Sequence, residues 1–156
     1  MERKREEERQ EISLETATTY ILEECRMVLP GIQALFGFQL IAVFNDGFEK
    51  KLSEAEHLLH LAAIVLVTVA IALVMAPAAL HRRSQPRAVS ARFIHLSSRL
   101  LVAGMFPLAL GLALDVYLIT RVIADSVAAA IAVAFTLLTV FAVLWLWLPS
   151  RERRRK

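Results

Sequence analysis

The sequence predicts an all-α integral membrane protein, a four-helix bundle with an amphipathic N-terminal helix. Hydrophobic residues make up 57% of the 156 residues and the mean hydropathy is +0.55. A soluble domain of this length cannot bury so much apolar surface. The charged residues crowd into four segments, 1–26, 46–57, 82–99 and 151–156. The long uncharged stretches between them are expected to be solvated by lipid.

Four of these stretches are long enough to cross a bilayer as helices. A helix rises about 1.5 Å per residue, so roughly 20 residues cross the hydrocarbon core. We predict a transmembrane domain over residues 27–149, with spans at about 28–46, 57–80, 98–120 and 126–148. The stretches lack the alternating pattern of a membrane β-barrel.

The segment ahead of the first span, residues 1–26, is charged and amphipathic. An apolar stripe with three- and four-residue spacing is formed by Leu14, Ala17, Ile21, Cys25 and Val28. Ser13 is the predicted N-cap, and residues 1–12 are predicted to be frayed. Pro30 is predicted to mark a kink or the first turn of span one. This helix is expected to lie along the inner membrane surface or to project as a stalk.

The basic residues predict the orientation in the membrane. Only Lys50, Lys51 and Arg121 lie on one side. Fifteen lie on the other side, with both termini and the 81–99 loop: Arg3, Lys4, Arg5, Arg9, Arg26, Arg82, Arg83, Arg87, Arg92, Arg99, Arg151, Arg153, Arg154, Arg155 and Lys156. Positive charge marks the cytoplasmic side. Both termini, including the basic tail at 150–156, are therefore predicted to be cytoplasmic.

Asp115, the only acid in the third apolar stretch, is the main candidate for chemistry. It shares a helix face with Gly104 and Gly111, and glycines on that face allow close helix packing. The carboxyl group is therefore predicted to lie in a seam within the protein. A carboxyl group there is either protonated or paired, so Asp115 is a candidate for handling protons or cations. The alternative is that it bonds a neighbouring helix or reaches interfacial water.

Other polar residues complete a predicted ion pathway. Gln33, Gln39 and Asp46 are its remaining candidates, and Phe36 and Phe44 are candidate apolar gates. The alternative is that the two amides hold helices or subunits together through hydrogen bonds.

His57 and His60 lie one turn apart beside Glu56 at the start of span two. Two histidines at this spacing with a carboxylate can hold a divalent metal or sense pH. The alternative is an interfacial pair that is simply solvated. We expect no enzyme and no cofactor, because the sequence has no GxxxxGK[ST], HExxH, CxxC, GxSxG or dinucleotide motif. Nucleic acid is not an expected partner, because the basic residues flank apolar spans.

The stretch LEECRMVLPGIQALFGFQL, with APAALHRR at the end of span two, resembles a bacterial family of short four-span membrane proteins of unknown function. The family pattern E-x-R-x-x-LPG-x-Q-x-LF-x-F corresponds to Glu24, Arg26, Leu29, Pro30, Gly31, Gln33, Leu35, Phe36 and Phe38. The resemblance implies a four-span protein of the bacterial cytoplasmic (inner) membrane. Some members carry the label sodium:proton antiporter, which implies ion transport.

The motif suggests an arrangement at the inner membrane boundary. Glu24 and Arg26 are expected to form a charge pair that fixes a bend at Pro30 and Gly31. Gln33 is then expected to point into the bundle one turn deeper.

These observations predict a small homo-oligomer that moves cations or protons as a channel or transporter. The pathway is expected between subunits, because four helices of this size leave little room for water within one chain. The expected partners are the lipid bilayer, further copies of the chain and inorganic cations. The alternative is a non-transporting scaffold or accessory subunit that binds lipid or a partner protein through its charged ends.

Overall fold

The computed structural model describes residues 2–83, 91–148 and 151, with side chains from residue 14 onward except at 47 and 49. The elements are α1 (Glu2–Ala42), α2 (Asp46–Lys51), α3 (Glu54–Arg83), α4 (Ala91–Ala124) and α5 (Val127–Ala142), which a π-helical turn (Val143–Trp147) extends. All regular structure in the described residues is helical, which confirms the all-α prediction. Apart from Arg151, the predicted basic tail lies outside the described residues, as does Arg87.

Four helical segments have the length and composition of membrane spans. They are Leu14–Ala42, Glu54–Arg83, Ala91–Ala124 and Val127–Trp147. The prediction of four apolar spanning helices is therefore confirmed, and the chain is built as a multi-pass membrane protein.

The first helix is continuous from Glu2 to Ala42 and contains Pro30. The predicted N-cap at Ser13 and frayed segment 1–12 are therefore wrong, since both lie within the helix. The sequence places opposite charges four positions apart in this segment, as at Arg3 and Glu7, and that spacing favours a helix. Pro30 removes one backbone hydrogen bond, and the helix continues on both sides of it. The amphipathic segment and the first span are consequently one helix.

The described residues divide into two compact units, and the first comprises those of 1–35 and 69–106. Each of its helices buries a narrow stripe. The buried members are Thr18, Ile21, Cys25 and Ile32 on α1, Ala70, Val74 and Pro77 on α3, and Ser97 and Gly104 on α4. Most spacings are three, four or seven residues, the pattern of helices that pack along a shared seam. A Cβ atom at Gly104 would lie 3.3 Å from Leu73 Cβ, so α4 runs close to α3 here.

The second unit comprises the described residues of 36–68 and 107–156 and includes parts of all four spans. Its buried residues are Gln39 on α1, Leu52, Glu56, His60, Ala63 and Val67 around the start of α3, Pro107, Gly111, Ala113, Asp115 and Leu118 on α4, and Ala130 on α5. Ser126 caps α5, accepting a hydrogen bond from the Ala129 N–H at 3.3 Å. Polar side chains thus share the buried stripes with small apolar ones.

At Gly111, α4 approaches α3 closely. A Cβ atom there would lie 2.8 Å from Val67 Cγ2 and 3.3 Å from the Ala63 carbonyl oxygen. Val67 and Ala63 are fully buried, so neither can readily move aside. Gly111 therefore lets α4 pack against α3 one turn away from Asp115.

Gly111→Ala is expected to destabilise the protein by about 1 to 3 kcal/mol, the usual cost of overpacking a close contact. Gly37→Ala is the matched control, because no atom lies within 4 Å of a Cβ placed there. That control should be neutral or stabilising by roughly 0.5 to 1 kcal/mol, since alanine favours a helix over glycine. Unfolding in detergent micelles, followed by circular dichroism, measures both variants. Equal effects of the two changes would contradict the close approach at Gly111.

Candidate functional site

Three helices of the second unit each contribute one buried polar side chain to a single cluster. Gln39 Nε2 donates a hydrogen bond to Asp115 Oδ2 at 2.7 Å. His60 Nδ1 lies 3.9 Å from Asp115 Oδ1. The residues are 3%, 5% and 8% exposed for Gln39, His60 and Asp115. We call these three residues the Asp115 cluster.

The backbone of α1 orients the His60 ring. His60 Nε2 lies 2.9 Å from the Gln39 carbonyl oxygen. A carbonyl oxygen only accepts, so Nε2 carries the hydrogen in this bond. A neutral imidazole has a single N–H, and its Nδ1 then presents a lone pair towards Asp115 Oδ1. With Asp115 ionised and His60 neutral, two acceptors therefore face each other.

Gln39 leaves one atom of the cluster unsatisfied. Its Oε1 is buried and has no hydrogen-bond partner among the described residues. The amide thus donates to the carboxylate with Nε2 while its own acceptor is unused. Buried polar atoms usually have a partner, so this oxygen is available to a donor or a cation.

The short helix α2 covers the histidines. The Phe48 ring lies 4.8 Å from the His60 ring and 5.0 Å from the His57 ring, measured between centroids. His57 Nε2 lies 3.3 Å from the Phe48 carbonyl oxygen. The two histidines therefore bind separate backbone carbonyls. Within the part of the chain described, no three His, Cys, Asp or Glu side chains are grouped to hold a metal, and the metal site at His57 and His60 stays a prediction.

Glu56 is one helical turn from His60 and makes two kinds of contact. Its Oε2 accepts hydrogen bonds from the Ser53 N–H and hydroxyl, both at 2.9 Å. This is a capping box, Ser-x-x-Glu, at the start of α3. Its Oε1 accepts from Arg121 Nε at 2.6 Å, and the two side chains are only 8% and 15% exposed. The ion pair ties the start of α3 to the end of α4.

Both carboxyl oxygens of this buried glutamate therefore have hydrogen-bond partners. Arg121 Nη1 also lies 3.6 Å from Asp125 Oδ1, but Asp125 is exposed. Lys51 Nζ donates to the Val122 carbonyl oxygen at 3.2 Å and adds a second link to the end of α4. These two contacts, Arg121 with Glu56 and Lys51 with Val122, connect α2, α3 and α4 next to the Asp115 cluster.

The remaining predicted pathway residues are not part of the cluster. The Asp46 side chain is 90% exposed and pairs with Lys50 at 3.4 Å. Phe44 is 87% exposed, and Phe36 is half-buried. Gln33 is exposed, so the expectation that it points into the bundle is wrong. Its neighbour Ile32 occupies the buried position, and the next residue along a helix faces a different direction.

The motif at the start of span one is on the outside of its helix. Glu24, Arg26, Pro30 and Gly31 are all exposed. Residues two positions apart on a helix do not face each other, so the expected charge pair between Glu24 and Arg26 does not form on this continuous helix. No atom lies within 4 Å of a Cβ atom placed at Gly31, and the glycine does not mark a close approach.

Sequence reasoning thus identified two members of the cluster and assigned the third to a metal site. A stripe of residues on α3 could have predicted that His60 is buried with the other two. Glu56, His60, Ala63, Val67, Ala70 and Val74 repeat with four- and three-residue spacing, which predicts one buried face. The Ser-x-x-Glu pattern at Ser53 likewise predicted a bonded Glu56. The Arg121 partner needed the three-dimensional structure.

Comparison with known proteins gives a family but no mechanism. One protein family, described as a family of unknown function (DUF6328), matches residues 6–149. No curated protein and no solved structure matches the chain. The resemblance to an uncharacterised family, inferred from the motif, is confirmed over nearly the whole chain. The matched region includes all three residues of the Asp115 cluster.

Arg121→Gln is expected to lower the midpoint of unfolding in detergent, because it leaves the largely buried Glu56 carboxylate without its charged partner. Lys50→Gln is the matched control, since it breaks the exposed pair with Asp46. Exposed pairs contribute little to stability, so the control midpoint should stay close to that of the native protein. The double variant Glu56→Gln with Arg121→Gln should lose less than the two single losses added together. Strictly additive losses would show that the pair is not coupled.

Proposed function

We propose that this chain, which belongs to the family of unknown function DUF6328, moves protons or other small monovalent cations across the membrane and binds them at the Asp115 cluster. The proposal rests on one observation. Two hydrogen-bond acceptors, His60 Nδ1 and Asp115 Oδ1, face each other between apolar helices. His60 Nε2 is committed to the Gln39 carbonyl oxygen. His60 Nδ1 therefore faces the Asp115 carboxylate with a lone pair, and the pair needs one further proton.

One bound proton makes the cluster electrically neutral. The proton resides either on Asp115, as a neutral acid, or on His60, as an imidazolium beside a carboxylate. Removal of that proton leaves a net negative charge among apolar helices, which is costly inside a membrane. The site therefore favours exchange of its proton for another proton or for a monovalent cation.

Gln39 can form a hydrogen bond with Asp115 in either protonation state of the acid, because its amide group can rotate. With Asp115 ionised, Nε2 donates to the carboxylate, as the structure shows. With Asp115 protonated, a half-turn of the amide brings Oε1 to accept the acid hydrogen. The atom that has no partner among the described residues, Oε1, is thus the one that the protonated state would use. An amide offers a donor and an acceptor at nearly the same position, which suits a residue beside a titrating acid.

The chemistry of the cluster argues against multivalent ions. It offers one carboxylate, one amide oxygen and one imidazole nitrogen, and no third acidic or histidine ligand joins them in the described residues. Calcium binds six to eight oxygen ligands, and magnesium requires near-octahedral geometry. A proton needs only one acceptor atom, either a carboxyl oxygen of Asp115 or Nδ1 of His60.

An exposed amide supports the homo-oligomer that the proposal includes. Gln33 is exposed on the first span, beside the buried Ile32. Amides in a membrane form hydrogen bonds between helices when they have no other partner. A second copy of the chain would supply such a partner. The same amide also favours the alternative, a scaffold or accessory subunit that uses this face without transporting ions.

Flux into liposomes distinguishes transport from scaffolding. The reconstituted native chain is expected to move protons, sodium or potassium faster than protein-free liposomes, measured with an internal pH dye and ion-selective electrodes. Asp115→Asn should reduce the flux to the protein-free level, because an amide cannot take up or release the proton. Asp46→Asn, the same change at a side chain that is 90% exposed, should retain the native flux.

Two results would contradict the transport proposal. Flux through Asp115→Asn equal to the native flux would remove the cluster from the pathway. Absence of flux through the folded native chain for all three ions would leave the scaffold as the function. Circular dichroism of each reconstituted variant establishes that it is folded.

Gln33→Leu is expected to weaken self-association in detergent. An interhelical hydrogen bond contributes about 0.6 to 2 kcal/mol in a membrane, so its loss should raise the dissociation constant about 3- to 30-fold. Thr68→Val is the control, because Thr68 is exposed but already donates to the Ile64 carbonyl oxygen at 2.8 Å. Light scattering at several protein concentrations gives the oligomer fraction. A native chain that stays monomeric throughout would overturn the role of Gln33.

A further inference from the structure

The helix α5 exposes most of its surface, and of its residues only Ala130 is buried. A groove of about 500 Å³ runs along the second half of this span. Its walls are formed by Phe135, Leu138, Thr139, Ala142, Val143 and Trp147. We call this the α5 groove. Its residues repeat at three- and four-residue spacing, so they share one face of the helix.

The walls of the α5 groove are almost entirely apolar. Thr139 is its only polar side chain apart from the Trp147 ring nitrogen, and the Thr139 hydroxyl donates to the Phe135 carbonyl oxygen at 2.9 Å. The walls are otherwise aliphatic or aromatic. Such a surface suits a flexible hydrocarbon chain and offers little to a polar molecule.

The end of the groove near the C-terminus carries a positive charge. The Arg151 guanidinium carbon lies 4.0 Å from the centroid of the Trp147 ring, above its face. Here the helix opens into the π-helical turn Val143–Trp147, closed by the Leu148 N–H to the Val143 carbonyl oxygen. Such turns recur at functional sites. The cation–π contact holds the guanidinium beside the end of the apolar groove.

We propose that the α5 groove binds an acyl chain of an anionic phospholipid, whose phosphate pairs with Arg151. Tryptophan and arginine are the residues that mark the membrane interface at a span end. An acyl chain that follows the groove away from this end would thus leave its headgroup beside Arg151. Arginine binds phosphate through two parallel hydrogen bonds. A zwitterionic headgroup has a positive charge beside its phosphate, which Arg151 would repel. An anionic headgroup binds through its phosphate without this repulsion.

Charge complementarity favours this occupant over a second copy of the chain. The described residue at this end of the groove, Arg151, carries a positive charge. A second copy placed symmetrically on this surface would bring two Arg151 side chains to the same end of the groove, and like charges repel. Basic residues near a span end attract anionic lipid headgroups instead.

Fluorescence quenching by brominated lipids tests the proposal directly. The chain has two tryptophans, and Trp145→Phe leaves Trp147 as the only reporter while preserving an aromatic ring against Phe141. The variant is reconstituted in phosphatidylcholine vesicles with increasing fractions of brominated phosphatidylglycerol or brominated phosphatidylcholine. Half-maximal quenching should require about a fivefold smaller fraction of the anionic lipid, the preference expected for one basic residue at the surface.

Arg151 is tested on the same background. Arg151→Gln should remove the preference, so that both brominated lipids quench alike, and Arg151→Lys should retain part of it because the charge remains. Arg92→Gln, a change at an exposed arginine on α4, should leave the preference intact.

Four outcomes would overturn the proposal. Equal quenching by both lipids in the parent variant would show that the groove does not select charge. A preference that survives Arg151→Gln would place the headgroup elsewhere, and an equal loss in Arg92→Gln would reveal only a general surface attraction. Absence of quenching by either lipid would show that another copy of the chain covers the groove.

Discussion

The constraint on which the structure depends is that hydrocarbon offers no hydrogen bonds, so each polar group in a span must find its partner within protein. The threonines meet this requirement locally: Thr18, Thr68, Thr120, Thr136 and Thr139 each donate to the carbonyl oxygen four residues earlier. Longer or charged side chains cannot be satisfied in this way. Gln39, His60 and Asp115 therefore meet across three helices, and Glu56 and Arg121 meet across two. The polar contacts between helices of the second unit follow from this difference between short and long polar side chains.

Small residues allow these polar side chains to come into contact. Gly111 precedes Asp115 by one turn on α4, and Ala63 follows His60 by three residues on α3. Because Gly111 has no side chain, the α4 backbone comes close to Val67 and to the Ala63 carbonyl oxygen. Helices that approach so closely leave no space for lipid between them. The burial of Asp115 is thus a consequence of its apolar neighbours as much as of its own contacts.

The fold followed from the sequence more readily than the site did. Uncharged stretches such as residues 58–80 predict spans by length alone, and the composition singled out Asp115 because a carboxyl group is rare there. Orientation around each helix was harder to obtain. Ile32 and Gln33 are adjacent, and the polarity of Gln33 suggested an interior position that Ile32 occupies. In a membrane the exterior is also apolar, so hydropathy does not distinguish the buried face from the lipid-facing one. Contacts between helices, such as that of Arg121 with Glu56, depend on their relative register, which no single stretch of sequence contains.

The pairing of Arg121 with Glu56 determines which charges surround Asp115. Arg121 lies six residues beyond Asp115 on α4, a rise of about 9 Å, and an arginine directed at Asp115 would neutralise it permanently. The structure instead directs Arg121 to Glu56 at 2.6 Å, with Asp125 at 3.6 Å, and the capping box fixes Glu56 in that place. The arginine charge is therefore already matched. Asp115 is left with an amide and an imidazole, neither of which is a permanent positive charge. The proton or monovalent cation that we propose for this site would supply the positive charge that the cluster itself does not contain.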